Sequence, residues 1–185
     1  MHNYIVETDR LILRPLTAAD APAVFAWGSD PEVNRYMSYP LERSVADAEA
    51  WLHVVEKSGP KDGYDFGFVR REDGLLIGSG GVYPWSDGRT WTFGYNLRRD
   101  CWGQGYATEA AGAVIRFFLT EVGFNRVFAC HAPENPASGR VMQKCGMRYE
   151  GTLRQAFRCN SGLYDMVICG ILAEDLPIQG NESFV

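Results

Sequence analysis

Hydrophobic residues recur along this chain in two periods, and the changes of period mark out its elements. In residues 7–16, Leu11 and Leu13 alternate with Ile12 and Arg14 until Pro15 ends the run. This predicts a first strand near a sheet edge. A helical period follows. Thr17 or Asp20 can cap a helix that carries Val24, Phe25 and Trp27. Asp30-Pro31-Glu32 has the form of another helix start, with proline at the first helical position. A third helix is expected from Ser44 or Val45 to Lys57, where Ala48, Trp51, Leu52 and Val55 share one face. The period then shortens to two. Residues 65–71, 75–83 and 90–97 are strand-like, and the short links Glu72-Asp73-Gly74 and Trp85-Ser86-Asp87-Gly88-Arg89 make an antiparallel meander the simplest arrangement.

The helical period returns from Tyr106 to about Val122, where Ala107, Ala110, Ala111, Val114 and Phe118 form one stripe. Its first half is small, so the helix can lie close on a sheet. Residues 125–132 form a further strand, reached by a helix crossover and so parallel to the strand at 90–97. Asn135 and Pro136 open a short helix that ends at Lys144-Cys145-Gly146. Residues 149–157 and 163–172 make a last hairpin around Asn160-Ser161-Gly162, and 177–185 reads as a polar tail. The order is β-α-α-β-β-β-α-β-α-β-β. It predicts an α/β (α+β) fold with about seven strands in a mixed, mostly antiparallel central sheet flanked by helices. The 185 residues suit a single domain, 1–185, with its core at about 8–172.

Composition narrows the function classes. Hydrophobic residues are 46% and charged residues 22%, ordinary values for a soluble globular protein. A net charge of −5 argues against general nucleic-acid binding. Five scattered cysteines with no Cys-x-x-Cys pair suggest neither zinc nor a disulfide framework, so no metal is expected. With no apolar leader and no long apolar run, a cytoplasmic protein without membrane contact is expected.

The stretch with most chemistry is Arg98-Arg99-Asp100-Cys101-Trp102-Gly103-Gln104-Gly105-Tyr106-Ala107-Thr108-Glu109-Ala110, between a strand and the long helix. Two glycines there let backbone approach a ligand, and the first helical N–H groups are free to hold an anion such as phosphate. A Walker loop would need Lys-Ser/Thr where Tyr106-Ala107 stand. A dinucleotide fingerprint would need a third glycine or alanine where Thr108 stands. On spacing alone, a tight turn and a phosphate cradle remain equal readings.

Several motifs in one order carry a resemblance. Arg10-Leu11-Ile12-Leu13-Arg14-Pro15 stands near the start, and 102–110 reads Trp-Gly-Gln-Gly-Tyr-Ala-Thr-Glu-Ala. Asn135-Pro136-Ala137-Ser138, Lys144-Cys145-Gly146-Met147, Glu150-Gly151 and Tyr164-Asp165 follow. Together they resemble the GNAT acetyltransferases, and more closely their ribosomal-protein N-acetyltransferase branch (the RimJ/RimL type), over residues 8–172. The resemblance implies acetyl-CoA as co-substrate and a parallel strand pair that splays at the coenzyme A site. It implies that Trp102, Gly103, Gln104, Gly105, Tyr106, Ala107 and Thr108 hold the pyrophosphate. The pantetheine arm would run along Tyr95, Asn96 and Leu97 as an added strand. Asn135 and Ser138 would touch coenzyme A, and Arg98, Arg99, Arg140 and Lys144 would reach its 3′-phosphate and adenine.

Two positions depart from the family pattern. Asp100 stands where Gln or Arg is general, so backbone N–H groups must do more of the phosphate holding. Met142 stands where many members carry the Tyr that protonates the departing thiolate; Ser138, usual in this branch, is the replacement by type. His131 is a candidate base or a wall residue, Asn135 a cap compatible with a coenzyme A contact, and Glu109 a brace for the cradle helix. Asp165 either lines the acceptor cleft or fixes the hairpin, and Tyr36-Met37-Ser38-Tyr39 is a candidate acceptor wall.

The implied reaction moves an acetyl group to a primary amine, either a protein N-terminus or a small amine. An α-amine of pKa ~8 needs only a modest base, whereas a lysine at ~10.4 needs a stronger one. The rival readings are a non-catalytic acyl-CoA-binding sensor and, last, a plain nucleotide-binding domain. A homodimer is compatible with the sequence and not specified by it.

Overall fold

The computed structural model describes residues 3–85 and 89–176. The expected polar tail at 177–185 lies outside the described residues, as does part of the link between the second and third meander strands. One sheet organises the rest, in the order β1-β2-β3-β4-β5-β6-β8-β7. Its strands are β1 Val6–Glu7, β2 Leu11–Pro15, β3 Tyr64–Arg70, β4 Leu76–Trp85, β5 Thr90–Leu97, β6 Arg126–His131, β7 Arg148–Cys159 and β8 Gly162–Leu172. The strand expected at 7–16 is split: Glu7 joins Val6 in a separate edge strand, and Leu11–Pro15 forms β2. That break raises the strand number to eight.

All pairings are antiparallel except β5 with β6. That parallel ladder is short: Thr90, Trp91 and Thr92 face Arg126, Val127 and Phe128. Past Thr92 the two strands part, while β5 stays paired to β4 as far as Leu97 and β6 stays paired to β8 as far as His131. The sheet therefore opens into a V in its middle.

Each face of the sheet carries its own layer. On one face α3, Tyr106–Thr120, buries Ala110, Ala111, Val114 and Phe118 against Phe66, Phe68 and Phe93. Burying one such Phe contributes about 1.5–3 kcal/mol. Helix α4, Pro136–Lys144, lies beside α3. On the other face α1, Ala21–Gly28, and α2, Val45–Lys57, enclose Trp27, Ala48 and Leu52 over Leu16 and Leu76. Ser44 caps α2 through a reciprocal box with Asp47, and Thr17 with Asp20 makes a similar box before a 3₁₀ turn at Ala18–Asp20. No helix among the described residues is long and apolar enough to cross a membrane.

The segment at 31–36 is not the helix that Asp30-Pro31-Glu32 predicts; it is a series of turns. Buried Asn34 is the reason. Its Nδ2 donates to the carbonyls of Trp27, Gly28 and Asp30, so this side chain closes α1 and bends the chain away.

Candidate active site

The V between β5 and β6 opens into a cavity of about 1100 Å³, lined from both faces of the sheet. Tyr95 leans from β5 toward α4, and its hydroxyl lies 3.2 Å from Ser138 Oγ. Asn135 caps α4, accepting from Ser138 N–H at 3.3 Å, and its Nδ2 donates to Ser138 Oγ at 3.3 Å. Ser138 is thus held between a phenol and an amide at the parting of the strands. Burial raises the Tyr95 phenol above its ordinary range, against the smaller opposite pull of Ser138, so Tyr95 keeps its proton at neutral pH. His131 also lines the cavity. Its Nδ1 lies 2.7 Å from its neighbour's carbonyl at Ala132, and its ring lies so close to Gly139 that a Cβ there would stand 2.9 Å from Nε2. It is held as part of the wall.

The other face of the V depends on a register shift. Phe68 pairs with Gly78 and Val69 with Leu76, so Ile77 is skipped. This bulge turns Ser79 to the α1–α2 face, where its Oγ donates to Asn96 Oδ1 at 3.0 Å. Asn96 Nδ2 donates in turn to the Tyr39 hydroxyl at 2.7 Å. Gly81 and Gly94 face each other across β4 and β5, and a Cβ at Gly94 would meet nothing within 4 Å. The floor there is bare backbone. Beside it Tyr83 donates to Asp65 at 2.5 Å, and burial holds the Asp65 carboxyl above its ordinary range. The segment 35–39 forms the facing wall. It is tied down by the β7–β8 turn, where Asn160 N–H donates to Met37 O, Ser161 N–H to Arg35 O, and Asn160 Nδ2 to Tyr39 O.

The glycine turn lies at the head of α3. Gly103 and Gly105 have φ of +74° and +85°, conformations that glycine adopts without a Cβ penalty. A Cβ at Gly103 would meet nothing within 4 Å, and α3 has no side-chain cap at Gly105. The first N–H groups of α3 thus have no side-chain cap and Gly103 borders open space, which fits an anionic group lying on the turn. Trp102 Nε1 donates to Leu97 O, and Gln104 Nε2 to Asp100 O, which fix the turn to the end of β5. Leu97 itself is buried in the core. Tyr106 is buried beneath the Arg10 guanidinium, 4.5 Å from its ring centre, while Ala107 and Thr108 are partly covered. Glu109 accepts from Thr8 and from Arg10 N and Nε, so it braces α3 against the β1–β2 turn as expected.

The basic residues are dispersed. Arg98 is paired to Asp100 at 2.8 Å, Arg99 is exposed beside it, and Arg140 and Lys144 lie exposed on α4. Asp165 accepts from Gln155 N–H within the last hairpin and does not line the cavity. Sequence reasoning missed the Ser79–Asn96–Tyr39 chain, the Asp65–Tyr83 pair and Glu42. Glu42 lines the cavity, and its buried Oε2 meets no hydrogen-bond partner among the described residues. The loop before Ser44 shows no local pattern that would single it out.

Comparison with known proteins agrees with this geometry. A family model described as an acetyltransferase (GNAT) domain matches residues 10–148. The Bacillus subtilis protein YoaA, named as an uncharacterized N-acetyltransferase, is 34% identical over 91% of this chain and 96% of its own length. A crystal structure of a GNAT-family acetyltransferase from Bacillus anthracis superposes with a TM-score of 0.82 at 27% identity, covering 92% of this chain and 99% of that one. The ribosomal-protein-S5-alanine acetyltransferase from Vibrio fischeri shares the fold, with a TM-score of 0.79 at 18% identity over 94% of this chain and 98% of its own. The likeness to the RimJ/RimL branch is therefore borne out in architecture, and the chain belongs to the GNAT family as an acetyltransferase.

Proposed function

We propose that this chain transfers the acetyl group of acetyl-CoA directly to a primary amine, a protein N-terminal α-amine or a small amine. The observation that carries the reading is the V itself, with backbone groups of β5 open past Thr92 and Ser138 held beside Tyr95 at its mouth. Open strand edges pair with extended ligands. Residues 95–97 supply such an edge for the pantetheine arm, and a backbone N–H from it can donate to the thioester carbonyl as negative charge develops there. Acetyl-CoA supplies the activated acetyl group; everything else is positioning and proton movement by the chain. Gly103, Gln104, Gly105 and the first amides of α3 hold the pyrophosphate. Arg99, Arg140 and Lys144, all exposed, are the cations that would attract the 3′-phosphate. The thioester arm approaches from the α3–α4 face and the amine from the α1–α2 face, over the bare floor at Gly94.

Ser138 delivers a proton to the departing sulfur and regains one through the Tyr95 hydroxyl, which takes its own back from solvent in the cavity. Direct transfer needs no nucleophile of the protein, and Cys101, buried and with its thiol pushed up by burial, is unsuited to be one. The acidic chain, whose described cysteines are free, suits a cytoplasmic setting. The test is thiol release from acetyl-CoA against a panel: peptides with free α-amines, the same peptides Nα-blocked but bearing lysine, polyamines and amino acids. Release with free α-amines alone assigns N-terminal acetylation. Release with small amines alone assigns a metabolite acceptor. Tight acetyl-CoA binding with no release from any amine overturns the catalytic reading.

A further inference from the structure

An amine is protonated near neutral pH and must lose a proton to attack. At the V, Ser138 and Tyr95 are proton donors, and the ring of His131, the other candidate base, is packed against Gly139 with Nδ1 tied to the Ala132 carbonyl. Glu42 meets the need from the opposite face. Its carboxylate is seated against the end of α1, where a Cβ on Gly28 would stand 2.4 Å from Oε2. Its own N–H donates to Gly28 O at 3.1 Å. A helix C-terminus presents carbonyl oxygens and repels negative charge. Oε2 is buried and unpartnered among the described residues. A carboxylate is rarely left so, because each unmade hydrogen bond to a buried charge is costly.

We propose that Glu42 is the catalytic base of this chain: its carboxylate takes the proton that the acceptor amine loses as it attacks. The proposal rests on the acetyltransfer reading above. Glu42 lines the same cavity as Tyr95, Asn96 and Ser138, and its charge acts on Tyr39, whose hydroxyl accepts from Asn96 beside the V. The other titratable groups that line the cavity are Asp47 on α2, Arg43 on its own loop, Asp62, Asp65 and Tyr83, Tyr36 and Tyr39, and Tyr95, Cys130 and His131. Asp65 Oδ1 already accepts from the Tyr83 hydroxyl, whereas Glu42 Oε2 meets no hydrogen-bond partner among the described residues. Burial, and then the charge of Asp47, pushes the Glu42 carboxyl up to about 6, where a base is both ionised at neutral pH and strong enough to serve.

The balance is simple. The ammonium gives one proton to Glu42, directly or through one water. The amine nitrogen forms a bond to the acetyl carbon, the carbon–sulfur bond breaks, and the thiolate takes its proton from Ser138 or water. The nitrogen's second proton leaves to solvent. Glu42 then returns its proton to solvent through the open cavity.

The experiment compares Glu42→Gln with wild type, using the panel amine that gives the fastest thiol release, from pH 5 to 9. Wild type should show an acidic limb in kcat/KM with a midpoint near 6. In Glu42→Gln that limb should be absent, with kcat/KM at pH 7 down by about 10²–10⁴-fold. The variant's rate should instead follow the fraction of free amine, so that its deficit narrows as pH rises through the amine's pKa (~8 for an α-amine). Acetyl-CoA affinity by calorimetry should stay within about twofold, and Glu42→Asp should recover part of the rate. A Glu42→Gln deficit that is constant across pH, or a break retained near pH 6, overturns the assignment while leaving acetyl transfer intact. A wild-type protein that binds acetyl-CoA and acetylates no panel amine overturns both.

Discussion

At the scale of the residue, the site places unlike groups on two faces of one sheet. Ser138 and Tyr95 are protonated donors on the α3–α4 side, and Glu42 is an ill-placed carboxylate on the α1–α2 side. Each carries a separate expectation. A thiol of pKa ~8.5 leaves readily enough that water can replace a positioned acid. Ser138→Ala should therefore slow kcat by roughly ten- to hundredfold without abolishing it, at the low end of what a positioned acid contributes. Steady-state turnover checks this, and an unchanged kcat removes Ser138 from the proton path. For Glu42 the sign of the stability effect follows from its raised carboxyl. Between its ordinary value, 4.5, and about 6 the folded chain binds more protons than the unfolded one, so this group's contribution to stability falls as pH rises through that window. Glu42→Gln removes the penalty above it. Thermal unfolding at pH 7.5 should show the variant higher by about 2–4 °C, the equivalent of about 1 kcal/mol after allowing for solvent screening, with no gain at pH 4. A lower Tm at pH 7.5 would mean that Glu42 is instead satisfied in the folded state.

At the scale of the element, the glycine turn joins the end of β5 to α3 in a conformation that other residues resist. Gly105 at φ +85° predicts that Gly105→Ala costs about 1 kcal/mol of stability. It also predicts about tenfold weaker acetyl-CoA binding, since the helix N–H groups no longer point as before. Denaturant unfolding and calorimetry check the two separately; a loss of stability with unchanged affinity would place the pyrophosphate elsewhere. Most elements here were legible in the sequence because their signals are local. The stripe from Ala107 to Phe118, the caps Ser44 and Asn135, and the alternation in β2 and at the start of β5 each lie within one element. What was illegible depends on contacts distant in sequence. Pro31 has the form of a helix start, yet the Asn34 side chain claims the carbonyls of α1 and turns the chain aside. The wall at Tyr39 is held by Asn160 from the last hairpin, and no pattern near either residue announces that pairing. Glu42 is buried by the small size of Gly28, fourteen positions earlier. Ser79 reaches the cleft only because a bulge skips Ile77. The run proposed for the coenzyme lies along one strand, turn and helix and could be read; of the wall proposed for the acceptor, the resemblance pointed to residues 36–39, while Glu42 and Ser79, brought in by contacts distant in sequence, could not be read.

At the scale of the whole molecule, the sheet is two antiparallel halves joined by a weak seam. β1 to β5 form one half and β6 to β8 the other. Between them run the Thr90–Thr92 ladder to Arg126–Phe128 and the crossover through α3. Beyond that ladder, β5 loses its pairing to β6 over residues 93–97. A ligand lying in the V would touch β5 on one side and α4 on the other, and so replace the missing seam. Binding to the folded state alone stabilises it by RT ln(1 + [L]/Kd), about 2.7 kcal/mol at a hundredfold excess over Kd. For a chain of this length that is a rise in Tm of roughly 5–10 °C. The rise should come with slower amide exchange at residues 93–97 and in the first turn of α3, while the β1–β2 edge and the β7–β8 hairpin change little. Free acetate, which can occupy neither the open strand edge nor the glycine turn together, should give no such shift. If acetyl-CoA instead protected β7 and β8 and left β5 unchanged, the cofactor would lie outside the V, and the roles given to Tyr95, Asn135 and Ser138 would go with it.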